Sequence, residues 1–194
     1  MAADGWSDLD RLLQGWFIAR RTPKLNRVLR GVTRFGSTPA VCAGVTVASI
    51  GLRAATGSHA GRRPSPAGNL AVLVAGIGVR RLCLMAGRRQ RPAAGVQLYP
   101  VAGYSFPSGH STNAAMASAL ITASVWDVRS ELPGVWPAVA TAGACYTVAI
   151  GSSRVYLGVH WPSDVLAGWV LGLAWSHIAR RYVLRRAGSS ATEW

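Results

Sequence analysis

Acidic residues are the scarcest chemical class in this sequence. Only 7 Asp and Glu stand against 21 Lys and Arg in 194 residues, which gives a net charge of +14 at pH 7. An excess of this size indicates nucleic acid, anionic lipid or a phosphorylated substrate as a partner. The basic residues cluster at the ends of apolar segments instead of along one polar face, which is the membrane-protein pattern. Nucleic acid is therefore disfavoured as a partner.

Cysteines are also few, and a signal peptide is lacking. Cys42, Cys83 and Cys145 are far apart, lie within apolar segments and form no CxxC pair. This pattern indicates neither a disulfide framework nor a zinc site. Residues 1–8 are acidic and lack the basic-then-apolar order of a signal peptide. We therefore expect the first spanning helix to direct membrane insertion.

Long apolar runs dominate the rest of the chain. Half of the residues (50%) are hydrophobic and only 14% are charged, which is too apolar in long runs for an ordinary soluble fold. We predict an all-α, integral-membrane helical bundle with about five spanning helices. The first span, 39–52, is short and should extend at both ends. The other four spans are predicted at 67–86, 110–128, 138–151 and 163–183.

The N-terminal residues form a different kind of segment. Residues 8–35 have apolar side chains at helical spacing, but 7 basic residues lie among them, so this stretch is too charged to span. We predict an amphipathic interfacial segment over residues 1–36, broken near Pro23. A solvated pair of helices that packs on the rest of the domain fits equally well. Residues 37–186 are then the membrane-embedded domain, and residues 187–194 a disordered tail.

The predicted third and fourth spans form a helical hairpin. Because a hairpin crosses the membrane twice, the loop before the third span and the loop after the fourth must open on the same face. In the earlier loop, Pro107-Ser108-Gly109-His110 stands just ahead of an apolar helical run. Backbone N–H groups and the Ser108 hydroxyl at a helix N-terminus favour anion binding, and Gly109 lets a ligand approach the backbone closely.

The later loop carries an arginine, a histidine and an aspartate, namely Arg154, His160 and Asp164. One helical turn separates His160 from Asp164, so the carboxylate can accept the imidazole N–H and fix its tautomer. Arg154 supplies a planar, permanently charged fork suited to phosphate. With His110 on the same face, one histidine can attack phosphorus while the other protonates the leaving oxygen. The pattern therefore predicts phosphoryl transfer.

Together these two motifs resemble the second and third signatures of the type-2 phosphatidic acid phosphatase superfamily, which shares its core with vanadium haloperoxidases and glucose-6-phosphatase. The resemblance covers about Ala67 to Val183. It implies a membrane phosphatase that needs no metal ion or other cofactor. It also implies that His160 forms a phosphohistidine, that Asp164 orients it and that His110 is the general acid. The phosphate oxygens would be held by Arg91, Ser108, Gly109 and Arg154.

The first signature of the family is incomplete in this sequence. The family pattern is a lysine, six further residues and then Arg-Pro; Arg91-Pro92 is present, but the lysine position is Leu84. A leucine side chain cannot bind phosphate. Three arginines within about one helical turn of Leu84 are candidates to replace the lysine: Arg88, Arg81 and Arg80. Alternatively, Arg80 and Arg81 extend to the membrane interface.

These features predict an enzyme that hydrolyses a phosphate monoester or diphosphate of a lipid. Phosphatidic acid, phosphatidylglycerol phosphate and polyprenyl phosphates or diphosphates are all candidate substrates. The alternative is a non-catalytic basic membrane protein that binds anionic lipids. A vanadium haloperoxidase is disfavoured, because those relatives of the family are larger and soluble.

The expected location is a bacterial cell membrane, and two arguments about orientation conflict. The predicted active-site face collects 13 basic residues and the opposite face 8, so positive-inside counting places the site in the cytoplasm. The resemblance implies the extracytoplasmic face, where catalysis itself would retain several of the 13 basic residues. We expect a site that faces outward.

Overall fold

The computed structural model describes residues 7–56 and 65–189, and helices are the only regular secondary structure in those residues. The seven α-helices are α1 (Ser7–Ala19), α2 (Pro23–Arg34), α3 (Thr38–Thr56), α4 (Pro66–Gly87), α5 (Gly109–Asp127), α6 (Val135–Tyr156) and α7 (Pro162–Ser189). A short 3₁₀ helix, Ala94–Val96, lies in the connection between α4 and α5. The predicted all-α class is confirmed. Helices α3 to α7 lie where the five spans are predicted.

Local sequence explains where several helices begin. Thr22 and Ser65 precede α2 and α4, and their hydroxyls accept hydrogen bonds from Leu25 N (3.2 Å) and Gly68 N (3.0 Å). A proline follows each capping residue, where its missing N–H costs nothing. Helix α7 continues through the first residues of the predicted tail and ends at Ser189, while residues 190–194 lie outside the described part.

Helix α5 is the central helix of the bundle and packs against α3, α4, α6 and α7. Its contact with α7 is close because two glycines of α7, Gly168 and Gly172, face it. A Cβ atom at these positions would lie 2.8 Å from Ser108 O and 2.6 Å from Thr112 O. Small residues four apart let helix backbones approach each other in a membrane. This contact brings the first turns of α5 and α7 together.

The outer surface of the bundle is apolar. Large apolar side chains on α3, α4, α6 and α7 are exposed, namely Val47, Leu82, Val148, Val170 and Ile178. In a water-soluble bundle the outward faces would be polar. Among the described helices, α3, α4 and α6 are long and apolar enough to cross a membrane by length and composition. The chain is an integral membrane protein; that α5 and α7 also span stays a prediction.

Helices α5 and α6 form the predicted hairpin, so the first turn of α5 and the last turn of α6 lie at the same end of the bundle. Helix α7 also begins at this end. Ser108 N donates a hydrogen bond to Asp164 O (2.9 Å), which joins the two polar loops directly. The structure therefore places both loops at one end of the bundle, as the hairpin predicts.

The N-terminal helices cover this same end. Helix α1 packs on α6 and α7, and α2 packs on α6. Between them, Arg21 donates two hydrogen bonds to Tyr156 O, at 3.0 and 2.7 Å. The outward side of α1 exposes Leu9, Leu12 and Trp16, as an interfacial helix requires. This segment packs on the domain and also presents an apolar face; that this face lies in the membrane interface stays a prediction.

Candidate active site

His160 lies in the connection between α6 and α7 and is only 2% exposed. Its Nε2 atom is 3.1 Å from Arg91 Nη1, and its Nδ1 atom is 3.5 Å from Asp164 Oδ2. A guanidinium only donates hydrogen bonds, so Nε2 must accept and Nδ1 carries the proton. The Asp164 contact is long for a hydrogen bond, and Nδ1 has no closer partner among the described residues. Contacts of this kind often tighten when substrate binds.

The surroundings of His160 keep the imidazole neutral. Burial lowers the pKa of His160 to about 4; the contact with Asp164 opposes this shift, and the positive charges of Arg154 and Arg91 add to it. At neutral pH the ring therefore carries no charge. Its Nε2 atom keeps a lone pair on the side where the arginines lie.

Two arginines next to His160, the half-buried Arg91 and the buried Arg154, are held only by neutral groups. Arg91 donates to Gly103 O (3.1 Å) and Val159 O (2.7 Å). Arg154 is 3% exposed and donates to the hydroxyls of Thr33 (2.8 Å) and Tyr99. Carbonyl and hydroxyl acceptors fix the direction of a guanidinium without neutralising its charge. The two positive charges are therefore available to an anion, and Nε of Arg154 is buried with no partner in the described residues.

The helix that follows the earlier loop begins inside this cluster. Ser108 is fully buried at the N-terminus of α5, where its hydroxyl accepts a hydrogen bond from Ser111 Oγ (2.9 Å). His110 is in the first turn, and the permanent positive charges that act on it are those of Arg154, Arg80 and Arg91. The structure thus brings together the residues of the second and third signatures.

Of the three arginines predicted to replace the family lysine, only Arg80 reaches this cluster. Its Nε and Nη2 atoms donate to Pro107 O at 2.9 and 2.7 Å. Gly109 makes this approach possible, since a Cβ atom there would lie 3.1 Å from Arg80 Cζ. Arg81 and Arg88 are exposed, and Arg88, the residue after α4, donates from Nε to Met85 O in the last turn of that helix (3.2 Å).

The sequence interpretation missed an ion-pair network behind Asp164. Arg89 Nη1 donates to Asp164 Oδ1 (2.8 Å), and Arg89 Nη2 donates to Asp10 Oδ2 (2.6 Å). Asp164 Oδ2 also accepts from Trp161 N (2.9 Å). The scarcity of acids could have drawn attention to Asp10, because a carboxylate in a chain with so many arginines has many cations to pair with.

Comparison with known proteins places this geometry in a family. The PAP2 superfamily profile matches residues 69–187. Over 155 residues, the chain is 32% identical to phosphatidylglycerophosphatase B of Bacillus subtilis, a match that covers 79% of this chain and 72% of that protein. The chain belongs to the PAP2 superfamily. The segments that resemble its first, second and third signatures, which end at Arg91-Pro92, His110 and Asp164, all lie within the matched range.

Shorter matches connect this PAP2 protein to two further relatives. It is 39% identical to an undecaprenyl-diphosphatase of Sulfolobus acidocaldarius over 36% of this chain and 29% of that protein. It is 33% identical to a lipid A 1-phosphatase of Rhizobium johnstonii over 43% of this chain and 30% of that protein. The chain therefore matches less than a third of the length of either of these two relatives.

Two solved structures share the fold of this PAP2 protein. The first is a transmembrane PAP2-type phosphatidylglycerolphosphate phosphatase from Bacillus subtilis, with a TM-score of 0.76, 25% identity, and coverage of 95% of this chain and 89% of that one. The second is LpxE from Aquifex aeolicus, with a TM-score of 0.68 and 21% identity over 90% of this chain and 96% of that one. The helical bundle is thus the transmembrane PAP2 fold.

Proposed function

We propose that this PAP2 protein is a lipid phosphatase, which hydrolyses a phosphate monoester or diphosphate of a membrane lipid without a metal ion or other cofactor. The observation that carries the proposal is the environment of His160. Its Nε2 lone pair lies 3.1 Å from Arg91, while the opposite ring nitrogen faces Asp164. A neutral nucleophile next to positive charges held by neutral partners suits attack on a phosphate anion.

The reaction divides into two displacements at phosphorus. His160 Nε2 attacks phosphorus, the bond from phosphorus to the lipid oxygen breaks, and His110 donates a proton to that oxygen. The product is a phosphohistidine, whose positive ring is stabilised by the Asp164 carboxylate. Water then attacks phosphorus, His110 takes the proton of that water, and the bond to Nε2 breaks with release of inorganic phosphate.

The phosphate oxygens are held by Arg91, Arg154, Ser108 and the backbone at Gly109. These donors surround the first turn of α5, where the helix dipole adds partial positive charge. Arg80 takes the place of the lysine that Leu84 replaces. Its guanidinium binds Pro107 O from α4 and lies against Gly109, so it adds charge to the phosphate site.

The substrate class follows from the apolar exterior and from the relatives. A site at the end of a membrane-embedded bundle favours a substrate whose apolar part stays in the bilayer. The relative with the longest sequence match is named a phosphatidylglycerophosphatase, and another is named an undecaprenyl-diphosphatase. We therefore place phosphatidylglycerol phosphate first among the candidates, followed by polyprenyl diphosphates and phosphatidic acid.

A phosphate-release screen tests the proposal. The full chain is purified in detergent and offered each of these lipid phosphates, with His160→Ala as the matched inactive variant. We expect phosphate release from at least one lipid by the wild type and none by the variant. No release from any of them, or equal release by both proteins, would support the alternative of a non-catalytic protein that binds anionic lipids.

We further propose that the protein resides in a bacterial cell membrane with the site on the extracytoplasmic face. Helix α4 carries two adjacent arginines near this face. One of them, Arg80, binds Pro107 O, so its position is explained by the site itself and is weak evidence for a cytoplasmic face. A cysteine introduced at Ala102, in a background without the three natural cysteines, tests the orientation. Ala102 is exposed, whereas the neighbouring Gly103 has a φ of 79° that a cysteine would strain. Labelling by a membrane-impermeant maleimide in intact cells is expected; protection would reverse the orientation.

A further inference from the structure

The two aspartates of α1 have opposite environments. The side chain of Asp8 is 97% exposed and pairs with Arg11 on the surface at 2.7 Å. Asp10, two residues later, is 3% exposed. Burial of a carboxylate is costly unless charged and polar partners compensate it. The partners of Asp10 therefore indicate why it lies inside the protein.

All the partners of Asp10 belong to the catalytic end of the bundle. Its Oδ2 atom accepts from Arg89 Nη2 (2.6 Å) and from Ser163 Oγ (2.5 Å), and its Oδ1 atom accepts from Ser163 N (2.8 Å). Ser163 directly precedes Asp164. Asp10 thus holds the first turn of α7 through two hydrogen bonds from Ser163, the residue next to the partner of His160, and accepts a third from Arg89 in the connection after α4.

Arg89 extends this contact to Asp164 itself. One nitrogen of its guanidinium donates to Asp164 Oδ1 and to Ser163 Oγ, at 2.8 and 2.6 Å, while the other donates to Asp10. The single positive charge of Arg89 is therefore shared between two carboxylates. Without Asp10, Arg89 would neutralise Asp164 more fully and weaken its attraction for the positive ring of a phosphohistidine.

We propose that Asp10 is a positioning residue for the reaction, which acts through Arg89 and Ser163 to hold the Asp164 carboxylate against His160. The inference rests on the proposed function, since it assigns a role in the same chemistry. It makes the N-terminal helix a functional part of the catalytic centre, although this helix lies outside residues 69–187 that the family profile matches. Asp10 itself touches none of the reacting atoms.

A purely structural role for Asp10 makes a different prediction. Helix α1 also packs on α6 and α7, and Arg21, just after it, donates to Tyr156 O, so we expect α1 to stay in place when Asp10 is replaced. If Asp10 served only to anchor α1, its removal would lower thermal stability and leave kcat per folded molecule unchanged. If Asp10 positions Asp164, kcat falls while KM stays the same, because the phosphate is bound by other residues.

The test compares Asp10→Asn with Asp8→Asn in the full chain, with the best lipid phosphate from the screen as substrate. For Asp10→Asn we expect kcat to fall about ten-fold or more, with KM within about two-fold of wild type, as for misplaced catalytic groups. Asp8→Asn should match the wild type in both parameters. Equal kcat for the two variants would overturn the inference, while an active wild type and inactive His160→Ala would leave the proposed function intact.

Two further variants keep the inference testable if Asp10→Asn fails to fold, and they test whether Asp10 acts through Arg89 and Ser163. Ser163→Ala removes only the hydroxyl between Asp10 and Arg89, and should lower kcat in the same direction even if Asp10→Asn is unstable. In an Arg89→Gln background, the change Asp10→Asn should lower kcat by less than it does in the wild type, because the connection to Asp164 through Arg89 is already broken and only the one through Ser163 remains. Additive losses in the double variant, or unchanged kcat in Ser163→Ala, would contradict the proposed route.

Discussion

The arginines on the two sides of His160 are held in contrasting ways. On the paired side, defined as Asp10, Arg89 and Asp164, the guanidinium bridges two buried carboxylates. On the phosphate side, defined as Arg80, Arg91 and Arg154, the partners are backbone carbonyls and hydroxyls. Both sides use the same residue type, but only the phosphate side keeps its positive charge free of acids.

This difference places net negative charge on one side of the His160 imidazole ring and net positive charge on the other. Two unit charges about 4 Å apart interact by about 4 kcal/mol at an effective dielectric constant of about 20, so a carboxylate beside Arg91 would cancel much of its attraction for phosphate. Neutral partners avoid that loss. On the other side, the surplus negative charge of two carboxylates over one arginine suits the positive ring of a phosphohistidine. The site is thus negative behind His160 and positive in front of it.

Removal of the His160 imidazole should have the largest effect on activity, because the paired side and the phosphate side both act on this ring or on the phosphate that it attacks. We expect His160→Ala to lower phosphate release on the order of 10⁴-fold or more, as loss of a nucleophile does in other enzymes. An acid-labile phosphoprotein trapped from the wild type should be missing from this variant. The exposed His177 in α7 supplies a matched control, and His177→Ala should retain full activity. Normal phosphoprotein in His160→Ala would assign the nucleophile to another residue.

The second prediction breaks the phosphate side alone. Arg91→Gln should lower kcat/KM about 10²- to 10³-fold, the usual cost of one lost donor to a transition-state oxygen. Arg88→Gln is the control, three residues earlier in the same basic run, where the side chain is exposed. Comparable losses in both variants would mean that the basic run acts through its overall charge and not through the position of Arg91.

Arg80 should contribute less than Arg91, since two of its guanidinium nitrogens already bind Pro107 O. We expect Arg80→Gln to raise KM about ten-fold, equivalent to about 1.4 kcal/mol of binding. Arg81→Gln, on the adjacent exposed residue, should leave KM unchanged. If the effects were reversed, Arg81 and not Arg80 would replace the lysine missing at Leu84.

His160, Asp164 and much of the phosphate side were predictable from sequence, whereas Asp10 and Arg89 of the paired side were not. Arg154, His160 and Asp164 lie within eleven residues, and the hairpin formed by two apolar runs places His110 on the same face. Helical periodicity and apolar length therefore specify both the fold and this half of the site. The choice between Arg80 and Arg81 required the packing of α4 on α5, which a run of adjacent arginines does not determine.

Asp10 and Arg89 are 79 residues apart, and each resembles an ordinary charge at a membrane interface. Nothing in the spacing of either residue links it to Asp164. The neutral partners Thr33 and Tyr99 were equally hidden, because a threonine in α2 and a tyrosine in a loop have many other uses. Contacts of this kind arise from tertiary packing of the N-terminal helices, so periodicity and motif spacing cannot supply them.

The smallest expected effect is a shift in the pH dependence of kcat/KM. Substitutions on the paired side and on the phosphate side should shift its acid limb in opposite directions. His160 must be neutral to attack and His110 must be protonated to donate, so kcat/KM should follow a bell-shaped profile whose acid limb falls as pH drops through the His160 pKa of about 4. Asp164 raises this pKa, so Asp164→Asn should move the acid limb to lower pH. Arg91 lowers the same pKa, so Arg91→Gln should move the acid limb to higher pH. Each profile is normalised to its own maximum, because both variants also lose activity. Shifts in the same direction would show that the limb reports unfolding or another group, since only a ring between opposite charges responds oppositely to loss of either one.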